Sequence, residues 1–357
     1  MTAEEIFRGR LVMAPMTRGT DLPFRMLANE WGAVVCMGEM AYAHRTGGDD
    51  RGDLPLLRRH PSEAIFGVQL AGKVPEVMAE AAKVAEAHGA DFVDVNLGCP
   101  IDEVTRRGFG ASLLQRPSKV AAIVAAMKAA VTVPVTIKLR LGWSEGDEAY
   151  LKVARAAVGA GVDAIALHAR SRAQRYRRPA VWDHVKALAA EVSVPIIGNG
   201  DIFTWRDAKR RMEETGCAAV MVGRWALAKP WLFREFAEER DIELPPEGRL
   251  AVVRRYVELC RAHFRDDEKG RARTRRFLVF HQDFFRRYRR NAASATSDSD
   301  DPRAFGEAPA DELEAWLCRS DLPGVTALAR WIVDGEEIEP PPVDPDAMRA
   351  VKVAAMG

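Results

Sequence analysis

Residues 134–201 decide the fold, because they hold three short apolar runs of one kind: PVTIKLR (134–140), AIALHAR (164–170) and PIIGNGD (195–201). Each run is largely apolar until it ends in polar residues, whereas a half-exposed strand alternates between the two. Continuous runs are typical of strands that are buried on both faces of a parallel sheet. Amphipathic stretches at Glu148–Ala160 and Trp182–Glu191 lie between the runs and predict helices.

The same alternation extends outward over about the first 240 residues. Five more apolar runs predict strands: Leu11–Met16, Val34–Met40, Ala64–Leu70, Phe92–Gly98 and Ala219–Arg224. Three more amphipathic stretches predict helices: Val74–His88, Ser118–Ala130 and Trp205–Thr215. Eight strand–helix units of this length predict an α/β fold, the (β/α)8 TIM barrel. An open, doubly wound sheet is the structural alternative.

A linker-like segment with the sequence LPPEG, residues 244–248, ends the predicted barrel. The patterns beyond it lack strand character and predict helices within Arg249–Arg265, Arg271–Arg290 and Asp311–Gly335. Asn291–Asp301 is predicted to be a loop. The chain is therefore predicted to contain a TIM-barrel domain (1–243), a smaller all-helical domain (249–340) and a C-terminal tail (341–357).

The composition limits the class of protein. Hydrophobic residues make up 48% of the 357 residues and charged residues 29%, which is typical of a soluble globular chain. No apolar run reaches the roughly 18 residues that a membrane span needs, and residues 1–10 have no apolar signal-peptide region. The five cysteines are scattered without a Cys-x-x-Cys pair, so neither disulfides nor a metal site is predicted. We expect a cytoplasmic protein without a membrane partner, and nothing requires more than a monomer.

The charge is distributed unevenly, although the net charge is only +1. Residues 254–290 contain 13 Arg and Lys against five Asp and Glu, whereas residues 291–357 contain five basic and 14 acidic residues. A basic block of this density predicts a polyanionic partner. A solvated helix face is the alternative interpretation.

Hydrogen-bonding groups stand at all eight predicted strand ends: Thr17 and Arg18; Glu39; Gln69; Asn96 and Cys99; Lys138 and Arg140; His168 and Arg170; Asn199 and Asp201; and Arg224. A single polar residue at a strand end usually faces water. Eight polar strand ends in one barrel indicate an active site, because TIM-barrel chemistry lies at the carboxyl ends of the strands.

The last strand ends predict a phosphate site. Gly198, Gly200 and Gly223 allow backbone N–H groups to approach an anion, and Arg224 adds positive charge. A lysine at position 138 suits an anionic reduced flavin. These features predict an FMN site, for which the amide of Gln69 offers a donor and an acceptor to the pyrimidine edge. A sugar-phosphate enzyme would use the same phosphate loops.

Ordered motifs along the chain resemble those of the tRNA-dihydrouridine synthase family. They are LVMAPMTR (11–18), DLPFR (21–25), NLGCP (96–100), RGFGASLL (107–114), Lys138-x-Arg140, NGDI (199–202), VMVGR (220–224) and PWLF (230–233). The segments PIDEV (100–104) and TRRFL (274–278) are most similar to the Dus3-like branch of that family. Phe109 stands where the family usually has a small residue.

The resemblance implies roles for individual residues. The implied FMN contacts are Pro15, Met16, Thr17, Gln69, Lys138, His168, Asn199, Gly200, Asp201, Gly223 and Arg224. The implied substrate contact is Asn96, which would hold the target uracil. The cationic residues Arg140, Arg170, Arg175 and Arg178 follow strands at the barrel mouth and are also predicted to contact the substrate. The resemblance further implies tRNA as partner and NADPH as reductant. The sequence contains no Gly-x-Gly-x-x-Gly motif, so a separate nicotinamide-binding domain is not predicted.

The implied reaction is reduction of the C5=C6 bond of uridine, with hydride from FMN N5 to C6 and a proton from Cys99 to C5. An ordinary thiol, with a pKa of about 8.5, is mostly protonated at neutral pH and suits this general-acid role. A lone cysteine after a strand is otherwise often a small buried hydrophobe. The alternatives are an FMN barrel that acts on a free pyrimidine and an RNA-binding module with an inactive barrel.

Overall fold

The structure is a computed structural model that describes residues 1–46, 52–288, 309 and 311–340. Two compact units divide the chain. The barrel unit comprises Met1–Leu22 and Ala33–Gly223, and the helical unit comprises Pro23–Gly32 with the described residues from Arg224 onward. The loop predicted at Asn291–Asp301 and the tail predicted at 341–357 lie outside the described residues.

The barrel unit is built on parallel strands. In chain order they are β1 (Leu11–Met13), β2 (Val35–Met37), β3 (Ala41–Tyr42), β4 (Ile65–Ala71), β5 (Phe92–Leu97), β6 (Val135–Arg140), β7 (Ala164–His168), β8 (Ile196–Asn199) and β9 (Ala219–Val222). All except β3 form a closed ring, because β2 pairs with β4 and β9 pairs with β1. The predicted TIM barrel is confirmed, and each predicted run overlaps one barrel strand. The short β3 was not predicted and pairs with β4 outside the ring.

The helices include every predicted amphipathic stretch and four short elements that were not predicted, at Ala3–Phe7, Asp102–Arg106, Arg224–Ala228 and Leu232–Glu238. They are α1 (Ala3–Phe7), α2 (Leu22–Glu30), α3 (Pro75–Ala87), α4 (Asp102–Arg106), α5 (Pro117–Ala130), α6 (Ala149–Gly159), α7 (Asp183–Glu191), α8 (Trp205–Thr215), α9 (Arg224–Ala228), α10 (Leu232–Glu238), α11 (Pro246–Phe264), α12 (Glu268–Phe285), α13 (Glu312–Leu317) and α14 (Leu322–Asp334). Short 3-10 helices lie at Ala43–Arg45, Leu54–Leu57 and Gly110–Gln115.

Helix α8 shows why the start and end of a helix can be predicted from the sequence. The Thr204 hydroxyl accepts a hydrogen bond from the Asp207 N–H, and the Asp207 side chain accepts from the Thr204 N–H in return. The helix ends at Gly216, whose φ of 68° is the left-handed conformation that glycine adopts without strain.

The interior of the barrel is apolar near the amino ends of the strands. Helix α1 contributes Ile6 and Phe7 to this core, and the ring of Phe7 meets that of Phe92 edge to face at 5.1 Å. Phe92 pairs with Gly67 in the strand register. Its ring fills the space beside Gly67, since a Cβ built there would lie 2.1 Å from the Phe92 Cζ. The polar side chains lie toward the other ends of the strands.

The helical unit has its own core of Leu250, Trp316, Leu317 and Leu328. The pattern predicted over Asp311–Gly335 divides into α13 and α14, because the Asp321 side chain accepts from the Gly324 N–H and starts a new helix. The early segment Pro23–Gly32 also belongs to this unit, which the sequence did not predict. Among the described residues, no helix is long and apolar enough to cross a membrane.

Candidate active site

The predicted polar strand ends of the barrel unit lie in one band around its interior. Asn96 pairs in register with Lys138, Arg140 with His168, and His168 with Asn199. Parallel strands in a barrel present their carboxyl ends at the same mouth. The structure therefore brings together the predicted residues of β5, β6, β7 and β8.

A buried chain of hydrogen bonds, which we call the amide ladder, links four side chains from three strands. The Thr136 hydroxyl donates to Asp94 Oδ1 at 2.6 Å, and Gln69 Nε2 donates to Asp94 Oδ2 at 2.8 Å. Asn96 Nδ2 donates to Gln69 Oε1 at 2.7 Å. Two of the four, Gln69 and Asn96, were predicted as site residues.

Asp94 and Thr136 are the members that sequence reasoning missed. Asp94 is 1% exposed, and burial raises its pKa to about 6, although bonds from Thr136 and Gln69 and the charge of Lys138 lower it. The available signal was an acid inside the buried strand β5, two residues before Asn96. A carboxylate rarely occupies such a position without a partner or a role.

The ladder ends at the backbone of the segment Gly98–Gly110, which we call the Cys99 loop. Asn96 Oδ1 accepts from the N–H groups of Gly98 at 3.2 Å and Cys99 at 2.9 Å. Gly110 has a φ of 59°, and a Cβ there would lie 2.8 Å from the Cys99 carbonyl oxygen. The loop thus folds back tightly on Cys99, and only glycine fits at its end.

The thiol of Cys99 is suited to remain protonated at neutral pH. Burial raises its pKa, while a backbone hydrogen bond at Ile101 and the charges of Arg140 and Lys138 act in the opposite direction. A raised pKa argues against a thiolate nucleophile. The nearby positive charges would still stabilise the thiolate that remains after a proton is given up.

Phe109 anchors the far side of the Cys99 loop in an aromatic cluster. Its ring lies 6.0 Å from that of Tyr42 and 6.2 Å from that of His44. The Lys73 ammonium lies 5.7 Å above the Phe109 ring and donates to the Arg107 carbonyl oxygen at 2.9 Å. The bulky residue noted in the sequence therefore packs against its surroundings and is 9% exposed.

Lys138 is the candidate contact for an anionic ligand. Its Nζ donates to Asn199 Oδ1 at 3.2 Å, and Asn199 Nδ2 donates to the Met221 carbonyl oxygen. Burial, followed by the charge of Arg140, lowers the pKa of Lys138 to about 8. Within the described part of the chain no carboxylate forms an ion pair with it. The charge of the buried Asp94 acts on Lys138 in the opposite direction, and an anionic group bound beside Lys138 would add to it.

Arg140, predicted to contact substrate, is 2% exposed and tied to the backbone. It donates to the carbonyl oxygens of Gly98 at 2.9 Å and of Ser171 and Arg175 at 3.1 Å each. Its guanidinium lies 5.4 Å from the centre of the Tyr176 ring. Arg140 therefore links the loop after β5 to the loop after β7.

Arg170 and Asp201, predicted to serve substrate and cofactor, pair with each other. Arg170 donates to the two carboxylate oxygens at 2.6 and 2.5 Å, and the two side chains are 4% and 9% exposed. Asp201 also accepts from the Ala180 N–H at 2.7 Å, and its own φ is 50°. His168 Nε2 lies 3.3 Å from the Arg170 guanidinium. This buried ion pair joins the loops after β7 and β8.

Arg175 and Arg178, the other two predicted substrate contacts, are exposed. Their side chains are 46% and 67% exposed and approach Asp102 and Glu145, respectively, at 3.8 and 3.4 Å. Such exposed pairs contribute little stability. These arginines can therefore exchange their partners for phosphates at small cost.

The glycines of the predicted phosphate site serve different purposes. Gly200 has a φ of 127°, and a Cβ there would lie 2.7 Å from Ala180 Cβ. Gly198 makes room for the ring of Trp182, to which a Cβ would come within 2.3 Å. Gly223 has ordinary clearance, with Met16 Sδ at 3.6 Å. Packing alone therefore explains Gly198.

The remaining predicted cofactor residues follow the first and the last strand of the barrel. Pro15 and Met16, which follow β1, are half-buried, and Thr17 is exposed. The Met16 N–H donates to the Thr20 hydroxyl at 3.0 Å, which fixes the turn. Arg224 begins α9 and is counted in the helical unit. Their contacts with a cofactor stay predictions.

Comparison with known proteins identifies similar sequences over most of the chain. A family model described as dihydrouridine synthase (Dus) matches residues 12–310. A tRNA-dihydrouridine(47) synthase [NAD(P)(+)]-like protein of Rattus norvegicus is 40% identical over 282 residues, which cover 78% of this chain and 44% of that protein. The similarly named protein of Homo sapiens is 38% identical over 283 residues, with coverages of 79% and 43%. The chain thus spans less than half the length of these relatives.

Solved structures share the fold at low sequence identity. Histamine dehydrogenase from Rhizobium sp. 4-9 superposes with a TM-score of 0.52 and 19% identity, covering 70% of this chain and 49% of that one. A 2-naphthoyl-CoA reductase complex gives a TM-score of 0.52 at 14% identity, with coverages of 65% and 50%. These neighbours support the barrel architecture.

Proposed function

Because the chain belongs to the dihydrouridine synthase family, we propose that it is an FMN-dependent enzyme that reduces uridine in tRNA to dihydrouridine with NADPH as reductant. The observation that carries the proposal is a half-buried cysteine, whose backbone N–H donates to Asn96 Oδ1 at 2.9 Å, in the same barrel mouth as the partly buried Lys138. Burial raises the pKa of the Cys99 thiol, which favours its protonated form. The names of the relatives include tRNA, position 47 and NAD(P). We therefore propose uridine 47 as the target.

The donor set in the barrel mouth fits FMN. The proposed contacts are Pro15, Met16, Thr17, Gln69, Lys138, His168, Asn199, Gly200, Asp201, Gly223 and Arg224. Lys138 forms no ion pair with a carboxylate among the described residues, although the charge of the buried Asp94 acts on it. Gly200 has a φ of 127°, a backbone conformation that side chains disfavour. Asp201 is proposed to act through Arg170, since that pair holds the loop in place. When bound, FMN supplies the hydride for C6 of the uracil.

The protein's own residues handle the uracil and the proton. Asn96 is proposed to hold the uracil, and Cys99 to donate its thiol proton to C5. The positive charges of Arg140 and Lys138 stabilise the resulting thiolate, which regains a proton from solvent before the next turnover. The exposed Arg175 and Arg178 are proposed to contact RNA phosphates around the mouth. The buried Arg140 and Arg170 are proposed to act indirectly, by holding the loops of the mouth in place. All five cysteines are free thiols, and we propose a cytoplasmic monomer.

The proposed activity is tested by incubating the FMN-loaded protein and NADPH with an unmodified tRNA transcript. Mass spectrometry of the digested RNA is expected to detect dihydrouridine, and a transcript with cytidine at position 47 should remain unmodified. Turnover of free uracil or dihydroorotate in place of tRNA would favour a free-pyrimidine reductase. A colourless protein that only binds RNA would favour an inactive barrel.

The helical unit is proposed to bind tRNA phosphates through α12. Arg273 and Arg276 are exposed on this helix and, among the described residues, form no ion pair with a carboxylate. The Arg273 guanidinium instead lies 4.3 Å from the centre of the Phe264 ring. Most neighbouring arginines are paired, as Arg275 is with Asp334 at 2.7 Å. The unpaired cations are the ones that phosphates would engage.

Binding of tRNA is therefore expected to weaken steeply with salt. Replacing both Arg273 and Arg276 with Gln should lower the magnitude of the slope of log K against log salt by about 1 to 2, since each released phosphate contact contributes roughly 0.9. The control is Arg330→Gln, which removes an exposed arginine already paired with Glu336. Filter binding at several salt concentrations measures the slopes, and salt-insensitive binding would contradict the proposed surface.

A further inference from the structure

The part of the amide ladder between Asp94 and the Cys99 loop is bounded by groups that have only one hydrogen-bonding role each. At one end the ionised carboxylate of Asp94 can only accept. At the other end the backbone N–H groups of Gly98 and Cys99 can only donate. The side-chain amides of Gln69 and Asn96 lie between them, and an amide can turn either its oxygen or its nitrogen toward a neighbour.

Only one orientation of the two amides satisfies both ends. Gln69 must turn its nitrogen to Asp94, which leaves its oxygen for Asn96 Nδ2, and Asn96 then presents its oxygen to the Cys99 N–H. The reversed orientation would set the Gln69 oxygen against a carboxylate. It would also leave two backbone donors facing the nitrogen of Asn96, and unmet buried groups are costly.

We propose that Asp94 is a positioning residue, which fixes the Gln69 and Asn96 amides in one orientation and through them holds the Cys99 loop at the barrel mouth. It touches neither the uracil nor the thiol in this role. The effect of the Cys99 loop position on catalysis rests on the proposed function, because Cys99 is the proton donor in that mechanism. The hydrogen-bond coupling itself is a property of the folded barrel unit.

The burial of Asp94 supports this role. A carboxylate at 1% exposure is unfavourable unless its hydrogen bonds compensate, and an apolar residue would fit a fully buried strand better. Burial raises the pKa of Asp94 to about 6, so the carboxylate is still mostly ionised at neutral pH and remains an acceptor. The residue therefore keeps its acceptor role under ordinary conditions, although it lies in a fully buried strand.

Thr136 provides a matched control within the same ladder. Its hydroxyl bonds the other oxygen of Asp94 and is as buried as Asp94, at 2% exposed. Removing that hydroxyl leaves the path from Asp94 to Cys99 intact. If the buried cluster had a merely structural role, substitutions at Asp94 and Thr136 would change the alkylation of Cys99 to a similar extent. The proposal predicts that only loss of the acceptor at Asp94 changes it.

The test compares Asp94→Leu, Asp94→Asn and Thr136→Val in the full-length protein. The rate at which iodoacetamide alkylates Cys99 is followed by mass spectrometry of the peptide that contains it. In Asp94→Leu this rate is expected to increase about fivefold, because the released loop exposes the thiol. In the same variant kcat is expected to fall about 10- to 100-fold, with KM for tRNA within about twofold. Asp94→Asn retains an acceptor oxygen and should stay within about twofold of wild type, as should Thr136→Val.

Unchanged alkylation in Asp94→Leu would overturn the proposal, and so would equal changes in Asp94→Leu and Thr136→Val. If Asp94→Leu does not fold, Asp94→Ala removes the acceptor with a smaller side chain and must give the same change. The alkylation assay needs neither RNA nor turnover. It therefore tests the positioning role even if the wild-type protein forms no dihydrouridine, which would instead disprove the proposed function.

Discussion

Replacing Cys99 with alanine is expected to lower the rate of dihydrouridine formation by about 10²- to 10⁴-fold, the range that a positioned general acid contributes. The uracil would still receive hydride at C6, but no group would deliver the proton to C5. The thiol is suited to that task because burial raises its pKa and the Asn96 oxygen anchors its backbone N–H at 2.9 Å. Single-turnover rates with pre-reduced enzyme measure the effect directly.

The Cys99→Ala variant should retain its flavin and its rate of reduction by NADPH, because its side chain is not proposed to hold the cofactor. Cys217→Ala is the control, since Cys217 is another buried free thiol of the barrel unit and follows α8. It should form dihydrouridine at the wild-type rate. Wild-type turnover by Cys99→Ala would remove Cys99 from the proposed mechanism.

Replacing Arg170 with methionine is expected to destabilise the protein by about 3–5 kcal/mol, the cost of leaving one charge of a buried ion pair without its partner. The side chains of Arg170 and Asp201 are 4% and 9% exposed, so water cannot readily replace the lost contact. Urea denaturation followed by circular dichroism measures the free energy of unfolding. The loops after β7 and β8 should also hold FMN less tightly.

Two controls separate the buried charge from other effects of the substitution. Arg170→Met combined with Asp201→Asn removes both charges, keeps an acceptor for the Ala180 N–H and a residue type that tolerates the φ of 50°, and should be less destabilising than Arg170→Met alone. Arg155→Met breaks an exposed pair with Glu191 and should leave the denaturation midpoint nearly unchanged. If Arg170→Met is as mild as Arg155→Met, the ion pair does not hold these loops together.

The barrel strands were predictable because their signal is local. A strand buried on both faces must be apolar throughout, as in β7 and β8, and its polar end marks the barrel mouth. The two-residue strand β3 was missed, since a segment so short has no periodicity to detect. The placement of Pro23–Gly32 in the helical unit depends on side-chain contacts such as Phe24 stacking on His281, which are distant in sequence.

The site was predictable as a set of residues but not as a set of partners. Gln69, Asn96 and Lys138 stand at strand ends, where the sequence marks them. The role of Asp94 depends on its hydrogen bonds with Gln69 and Thr136, which lie on other strands. Arg170 and Asp201 were assigned different roles because no pattern in the sequence shows that they pair. Contacts between neighbouring strands decide these roles, and such contacts are set by the closed barrel.

The close fit of Phe92 against Gly67 constrains how this barrel can diverge. A methyl group at position 67 would overlap the aromatic ring, while a smaller residue at position 92 alone would leave a void. Each single change is therefore harmful, yet the two together are compatible with a filled interior. In evolutionary terms, we expect the pair to show sign epistasis. Drift at either position is blocked until the other has changed, so homologous barrels should keep glycine with phenylalanine or exchange both.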